Sequence, residues 1–174
     1  MGHVSPDRNI LSITVRKEVR SVLRRGHAHV NFEDAVLDFP REQRGIVLQG
    51  LPYSAWQVLE HMRITQRSHL DFANHYFSDQ PQLLKQLRWP RDYWIKQTIP
   101  PSGDAWGISV KGVIDDREAF LKLLDDATDL ALTKPPAPGK HRNLLRLALQ
   151  IADHNAYHIG QLVMIRRLLG VWKT

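Results

Sequence analysis

Apolar residues recur at intervals of three and four in four separate stretches of this chain. In the last of them Leu144, Ala148, Ile151, Asn155, His158, Leu162, Ile165 and Leu169 alternate those steps without a slip. That is the inward seam of one amphipathic helix over about 141–170. Trp106, Val110, Val113, Arg117, Phe120, Leu124, Ala127 and Ala131 follow the same rule and predict one helix over about 103–132, with Ser102 as its N-cap. Gly107 and Gly112 each cost that helix about 1 kcal/mol relative to Ala, and Asp115-Asp116 could start a fresh one. Ala55, Leu59, Met62, Gln66, His69 and Ala73 form one row of a helix over about 54–74, and Val58, His61, Thr65, Ser68 and Phe72 form the next, behind the candidate N-cap Ser54. Over about 8–25 the stripe is Leu11, Val15, Val19 and Val22, with Arg16, Lys17, Arg20 and Arg24 on the other side and Gly26 as the stop.

The connections are polar or rich in proline. Asn31 reads as the N-cap of a short helix over Phe32–Phe39, closed by Pro40, and Gly45–Gly50 is a loop. Residues 75–101 are irregular, with room for a short helix over Pro81–Arg88, and Lys134-Pro-Pro-Ala-Pro-Gly139 is a stiff linker. No stretch reads as a strand. The expected fold is therefore all-α: an antiparallel four-helix bundle, one domain over 1–174, with a long irregular loop between its second and third helices. Trp106, Phe120, Leu124, Leu59, Met62, Ile151, Leu162 and Ile165 are its expected core.

Composition narrows the chemistry. With no cysteine, disulfides, thiolate metal sites and cysteine nucleophiles are all excluded. A metal site here must be built from His, Asp, Glu and water, which suits zinc, nickel, iron or manganese. With neither a secretory signal nor an apolar run of about 18 residues, the expected location is the cytoplasm, with no membrane partner. The net charge of +6 is spread thinly, the densest basic cluster being Arg142, Arg146, Arg166, Arg167 and Lys173. Nothing in that distribution makes a nucleic-acid-binding stripe.

The chemistry concentrates in Asp153-His154-Asn155-Ala156-Tyr157-His158. Residues four apart on a helix lie about 5–6 Å from each other, so His154 and His158 can address one object. Core histidines bonded to a carbonyl are common too, and the pair alone does not decide between a metal site and packing. The zinc-protease pattern is absent, because Asn155 stands where its general base would be. A third ligand from another helix would tip the balance. His61, mid-way along the inward face of the second helix, could be that ligand or a packed core histidine; His27 and His29 fall in a connection and read as surface residues. Glu60 and Asp153 each precede a candidate ligand and point about 100° away from it; they read as solvated carboxylates, or else as hydrogen-bond partners of a ligand on an adjacent helix. The loop with Trp89, Tyr93 and Trp94 is long enough to cover something.

The opening Leu51-Pro52-Tyr53-Ser54-x-Trp56-x-x-x-Glu60-His61 and the closing Asp153-His154-Asn155-Ala156-Tyr157-His158-x-Gly160-Gln161-x-x-x-x-Arg166 together resemble the DinB-like superfamily, across nearly the whole chain. These are damage-inducible, YfiT-like four-helix bundles, unrelated to the DNA polymerase that shares the name. The resemblance implies a divalent metal, zinc or nickel ahead of iron or manganese, held by His61, His154 and His158. It also implies relatives that transfer low-molecular-weight thiols such as mycothiol or bacillithiol to electrophiles, and a homodimer. Three neutral imidazoles leave positions open for substrate, as in catalytic sites. The expected function is thus a metal-dependent thiol transferase acting on a small molecule. The alternatives are a metal-dependent hydrolase and a metal-binding stress or interaction protein without turnover. Apolar residues left over after the core is filled, such as Val163 and Leu168, fit a dimer.

Overall fold

The computed structural model describes residues 10–79, 81–84 and 86–172. Arg8 and Asn9 of the expected first helix, Lys85 of the expected 81–88 turn and Lys173 of the basic cluster lie outside the described residues. Among the described residues the protein is all-α, with six helices: α1 Ile10–Arg25, α2 Phe32–Val36, α3 Ala55–Phe77, α4 Ala105–Asp126, α5 Asp129–Thr133 and α6 Leu144–Leu168. A 3-10 turn at Arg41–Gln43 joins α2 to α3, and the described residues contain no strand.

Several helix ends follow directly from their capping residues. Ser54 accepts from the Gln57 backbone N–H while the Gln57 side chain accepts from the Ser54 N–H, a reciprocal pair that satisfies two otherwise orphaned donors. Asn31 caps α2 by accepting from the Asp34 N–H at 2.7 Å, although α2 ends at Val36 rather than Phe39. Asn143 caps α6 by accepting from the Arg146 N–H at 2.8 Å. Gly26 closes α1 at φ +69°, where a Cβ would fall 2.7 Å from the His29 ring.

Two expectations for the third long helix change. Its N-cap position is Asp104, and Ser102 instead donates its hydroxyl to the Asp104 carboxylate at 2.5 Å. The helix passes unbroken through Asp115-Asp116 but stops at Asp126. Ala127 is extended and Thr128 caps the separate α5 by accepting from the Ala131 N–H. No helical segment of the described residues occupies 81–88.

Side-chain pairs fix the helix directions. From α3 to α4, Glu60 meets Ser109, Gln66 meets the Val113 carbonyl and Arg67 meets Asp116, numbers rising together. From α3 to α6 they run oppositely, His61 against His158 and Gln66 against Asn155. From α1 to α4 they are opposed as well, Arg24 with Glu118 and Arg20 with Asp125. So α3 and α4 point the same way, where antiparallel neighbours were expected. The connection between them explains this. It runs back down α3: Gln82 O accepts from His75, the Tyr93 hydroxyl bonds Ser68, and Ile95 O and Thr98 O accept from Gln57 and Ser54. The irregular stretch is a strap laid along α3 that returns the chain to its starting end.

All eight expected core residues are buried. The core is nonetheless two clusters. One holds Phe39, Trp56, Leu59, Met62, Trp106 and Leu162; the other holds Leu70, Phe120, Leu124, Leu144, Leu147 and Ile151. Between them, at one level on three helices, come Thr65 and Gln66 of α3, Asp116 and Arg117 of α4, and Asn155 and His158 of α6, all but Asn155 buried. Asn155 donates to Gln66 at 2.8 Å and Gln66 to Val113 O at 2.6 Å, so this polar level is bonded across the core. A cavity of about 240 Å³ lies beside it, lined in part by Gln66, Arg117, Asn155 and Ile159.

The buried face of α1 is Ser12, Arg16 and Val19, while Leu11 and Val22 of the expected stripe are largely exposed. Arg16, expected on the solvent side, is buried against the end of α4, where its guanidinium donates to Leu124 O and Ala127 O and pairs with Asp129. Those carbonyls are among the last of α4, which lack helical partners. Arg166 is likewise buried and donates to Ala35 O at 3.0 Å. These two arginines therefore serve inside the fold and not at its surface. No helix of the described residues is long and apolar enough to cross a membrane.

Candidate metal centre

His61 lies seven residues past the Ser54 cap, on the flank of α3 that faces α6 and the strap. His154 and His158 sit one turn apart on α6 and face back. Because α3 and α6 run oppositely, the three meet: ring centroids are 4.9 Å apart for His61 and His154, 4.7 Å for His61 and His158, and 4.4 Å for His154 and His158. One nitrogen of each lies within 4.8 Å of the other two, and His154 Nε2 stands 3.0 Å from His61 Nε2. The spread is slightly wider than the 3–4 Å that bonds of about 2.0–2.1 Å to a shared ion lead one to expect. Among the described residues no fourth ligating side chain joins the group.

The far nitrogens decide which way the lone pairs point. His61 Nδ1 is 2.9 Å from Tyr93 O, which can only accept, so Nδ1 carries the proton and Nε2 offers its lone pair. His158 Nδ1 is 2.6 Å from Gln161 Oε1, which sets the same tautomer there. Ligating histidines are typically oriented this way, and loss of such a partner costs about 10–100-fold in metal affinity. Gln161→Leu should therefore weaken zinc or nickel binding by about that factor without changing its stoichiometry, as read by competition with a chromogenic chelator. Unchanged affinity would mean that Gln161 does not orient His158.

Burial keeps the cluster neutral. Loss of water pushes His154 down to about 3, helped by its neighbours His158 and His61, and pushes His158 down to about 4 against the opposing pull of Gln161. His61 is lowered by burial too, with the Tyr93 carbonyl opposing. Unfolded histidines titrate near 6.5. Between that value and the folded ones the unfolded chain binds more protons than the native protein, so protonation favours unfolding. The stability these groups contribute is complete above about pH 6.5 and falls as pH drops through 4 toward 3. Chelator-treated protein should show this decline in urea midpoints. Midpoints indifferent to pH across that window would contradict it.

The strap covers His61 from one side. Trp94 stacks on the His61 ring at 3.8 Å and 6°, and Tyr53 stacks on Trp94 at 3.7 Å, so the three rings form a continuous pile. Trp94 is 6.0 Å from His158 and Trp89 6.3 Å from His61, centroid to centroid. The aromatic loop thus borders the histidines, as its length and composition led us to expect.

Glu60 corrects the reading of both carboxylates as solvated. It is buried and receives Arg63 through two bonds of 2.8 Å and the Ser109 hydroxyl at 2.6 Å. Burial pushes its carboxyl up, but the bonds from Arg63 and Ser109 outweigh that and hold it below the usual range. It braces α3 to α4 and is not a free base. Asp153 is exposed, and so are His27 and His29. Two participants escaped the sequence: the Gln161 side chain as a partner of His158 and the Tyr93 carbonyl as a partner of His61. Only Gln161 had a local signal, standing one turn beyond His158 on the same helix.

Three uncharged imidazoles from two helices, each with a nitrogen within 4.8 Å of the other two, form a donor set that a divalent ion of the zinc or nickel type fits. A family model described as DinB superfamily matches residues 15–162. No curated protein and no solved structure matches the chain.

Proposed function

The chain belongs to the DinB superfamily, and from that premise we propose that it is a cytoplasmic metal-dependent enzyme that transfers a low-molecular-weight thiol to a small electrophile. The observation that carries the reading is the convergence of His61, His154 and His158, with their nitrogens within 4.8 Å of one another. Zinc or nickel is the proposed ion, with iron and manganese as weaker candidates. On this reading α1, α3, α4 and α6 are the four-helix bundle of the family, and the strap between α3 and α4 closes one side of the site.

His61, His154 and His158 would hold the divalent cation, which when bound would supply the positive charge that favours the ionised form of a thiol near neutral pH. The chain has no cysteine, so the sulfur must arrive as a co-substrate. The protein's own residues do the rest. Tyr93 O and Gln161 hold the Nδ1 protons of His61 and His158, so that the Nε2 lone pairs stay available. The stacked Trp94 and Tyr53 keep water from one face of His61. Glu60, the buried carboxylate next to His61 in sequence, stays bound to Arg63 and Ser109 and is not poised to activate water, which favours thiol transfer over hydrolysis.

The test is thiol consumption by protein of defined zinc or nickel content, offered pairs of small thiols and electrophiles. Turnover that disappears on chelation and in His154→Ala supports the proposal. An ion bound at one per chain with no consumption above the metal-free control would favour a binding protein without turnover.

We also propose a homodimer. Leu168 and Met164 of α6 are largely exposed, whereas Val163 is packed against the core and is not spare. Light scattering at micromolar concentration should give twice the 20.1 kDa chain mass; a monomer would refute the dimer.

A further inference from the structure

Of the phenylalanine, tyrosine and tryptophan side chains of this protein, two stand largely exposed, Trp89 at 70% and Tyr157 at 66%. Scattered exposed apolar residues need no explanation. These two are not scattered. The Trp89 ring lies 6.3 Å from His61, and the Tyr157 ring lies edge-on 4.9 Å from His158. One comes from the strap and the other from α6, so two unrelated segments each leave a bare aromatic ring against a different histidine of the triad. Trp94 is stacked on His61 and lies 6.0 Å from His158.

We propose that Trp89 and Tyr157 form the acceptor subsite of the enzyme, and that the electrophile it takes carries a flat aromatic or conjugated group. The inference rests on the thiol-transfer reading for the word electrophile, but the subsite rests on ring geometry alone. Exposed aromatic faces and edges select planar π-systems, because offset and edge-to-face contacts gain over mere area burial. A puckered aliphatic ring of equal size offers the same apolar surface and none of the quadrupole complementarity. Neither side chain carries a charge that would demand an anionic or cationic acceptor. Trp89 and Tyr157 are on this account specificity-determining residues, and their removal should act on acceptor affinity and not on the ion.

The experiment is calorimetric titration of zinc-loaded protein with 2-naphthol and with decahydro-2-naphthol, which share a hydroxyl and a two-ring skeleton and differ in flatness. Metal content is measured on the same samples. Wild type should prefer 2-naphthol by about tenfold. Trp89→Ala and Tyr157→Ala should each weaken 2-naphthol by about three- to tenfold and leave decahydro-2-naphthol nearly unchanged, while Trp89→Phe and Tyr157→Phe keep most of the preference. Equal affinity of wild type for the two probes overturns the subsite, and so do Ala variants that bind 2-naphthol as wild type does. Repeating the titration on metal-free protein separates the two readings. A flat-ring preference that survives without the ion supports the subsite whatever becomes of thiol transfer.

Discussion

A His158→Ala variant will lose stoichiometric metal binding and keep its helices. His158 supplies one of three converging nitrogens, and its Nδ1 proton is already held by Gln161, so its Nε2 has no evident role but donation. Removing an outer partner of a ligand costs about 10–100-fold in affinity, and removing the ligand itself should cost more, about a thousandfold. The fold has separate support. His158 belongs to the polar level between two apolar clusters, and neither Leu59, Met62 and Leu162 on one side nor Leu124, Leu147 and Ile151 on the other depends on it. The measurements are metal per chain after dialysis against excess zinc or nickel, and far-ultraviolet circular dichroism. One ion per chain at undiminished affinity would place the site elsewhere.

Arg16→Ala will be among the most destabilising single changes at a polar position. The side chain is buried at 4% exposure, and its guanidinium donates to Leu124 O and Ala127 O at the end of α4. Hydrogen bonds to charged groups contribute about 1.5–3 kcal/mol, and leaving a buried acceptor unmet costs about 1–3 kcal/mol. A loss of about 3 kcal/mol is expected, which for a domain of this size lowers Tm by roughly 6–12 °C. Arg16→Lys should recover only part of it, because an ammonium cannot span two carbonyls with a fixed fork. Thermal melts of the three proteins give the answer, and a Tm within a degree or two of wild type would show that α1 is held by Val19 and its neighbours instead.

Periodicity made α3, α4 and α6 legible because each buries an apolar row that repeats at the helical interval, whereas α1 was found by a stripe of which only Val19 is buried. Trp106 through Leu124 and Leu144 through Ile165 are such rows. The site was half legible. The spacing of His154 and His158 follows from one helix, but the approach of His61 depends on α3 and α6 running oppositely, which no local pattern encodes. Two kinds of feature escaped. Arginines that bury a guanidinium look like surface residues in a sequence, since their long stems tolerate either place; Arg16 was read that way, and Arg166 only as part of a basic cluster. The strap is held by bonds to its backbone carbonyls, at Gln82, Tyr93, Ile95 and Thr98, and a carbonyl has no sequence signature. That is also why the shared direction of α3 and α4 was not foreseen.

The sequence separation of the histidines has a consequence for the chain as a polymer. His61 and His154 are 93 residues apart, with the strap, α4 and α5 between them. An ion held by both would tie a loop of that size, a removable cross-link in a protein that has no cysteine to make a permanent one. In the chain-entropy picture, closing a loop of about 100 residues is worth roughly 4–5 kcal/mol against the unfolded state. Depriving the cell of metal would then do to this protein what a reducing agent does to a disulfide-bonded one: leave every native contact in place and lengthen the list of shapes the chain can adopt without them.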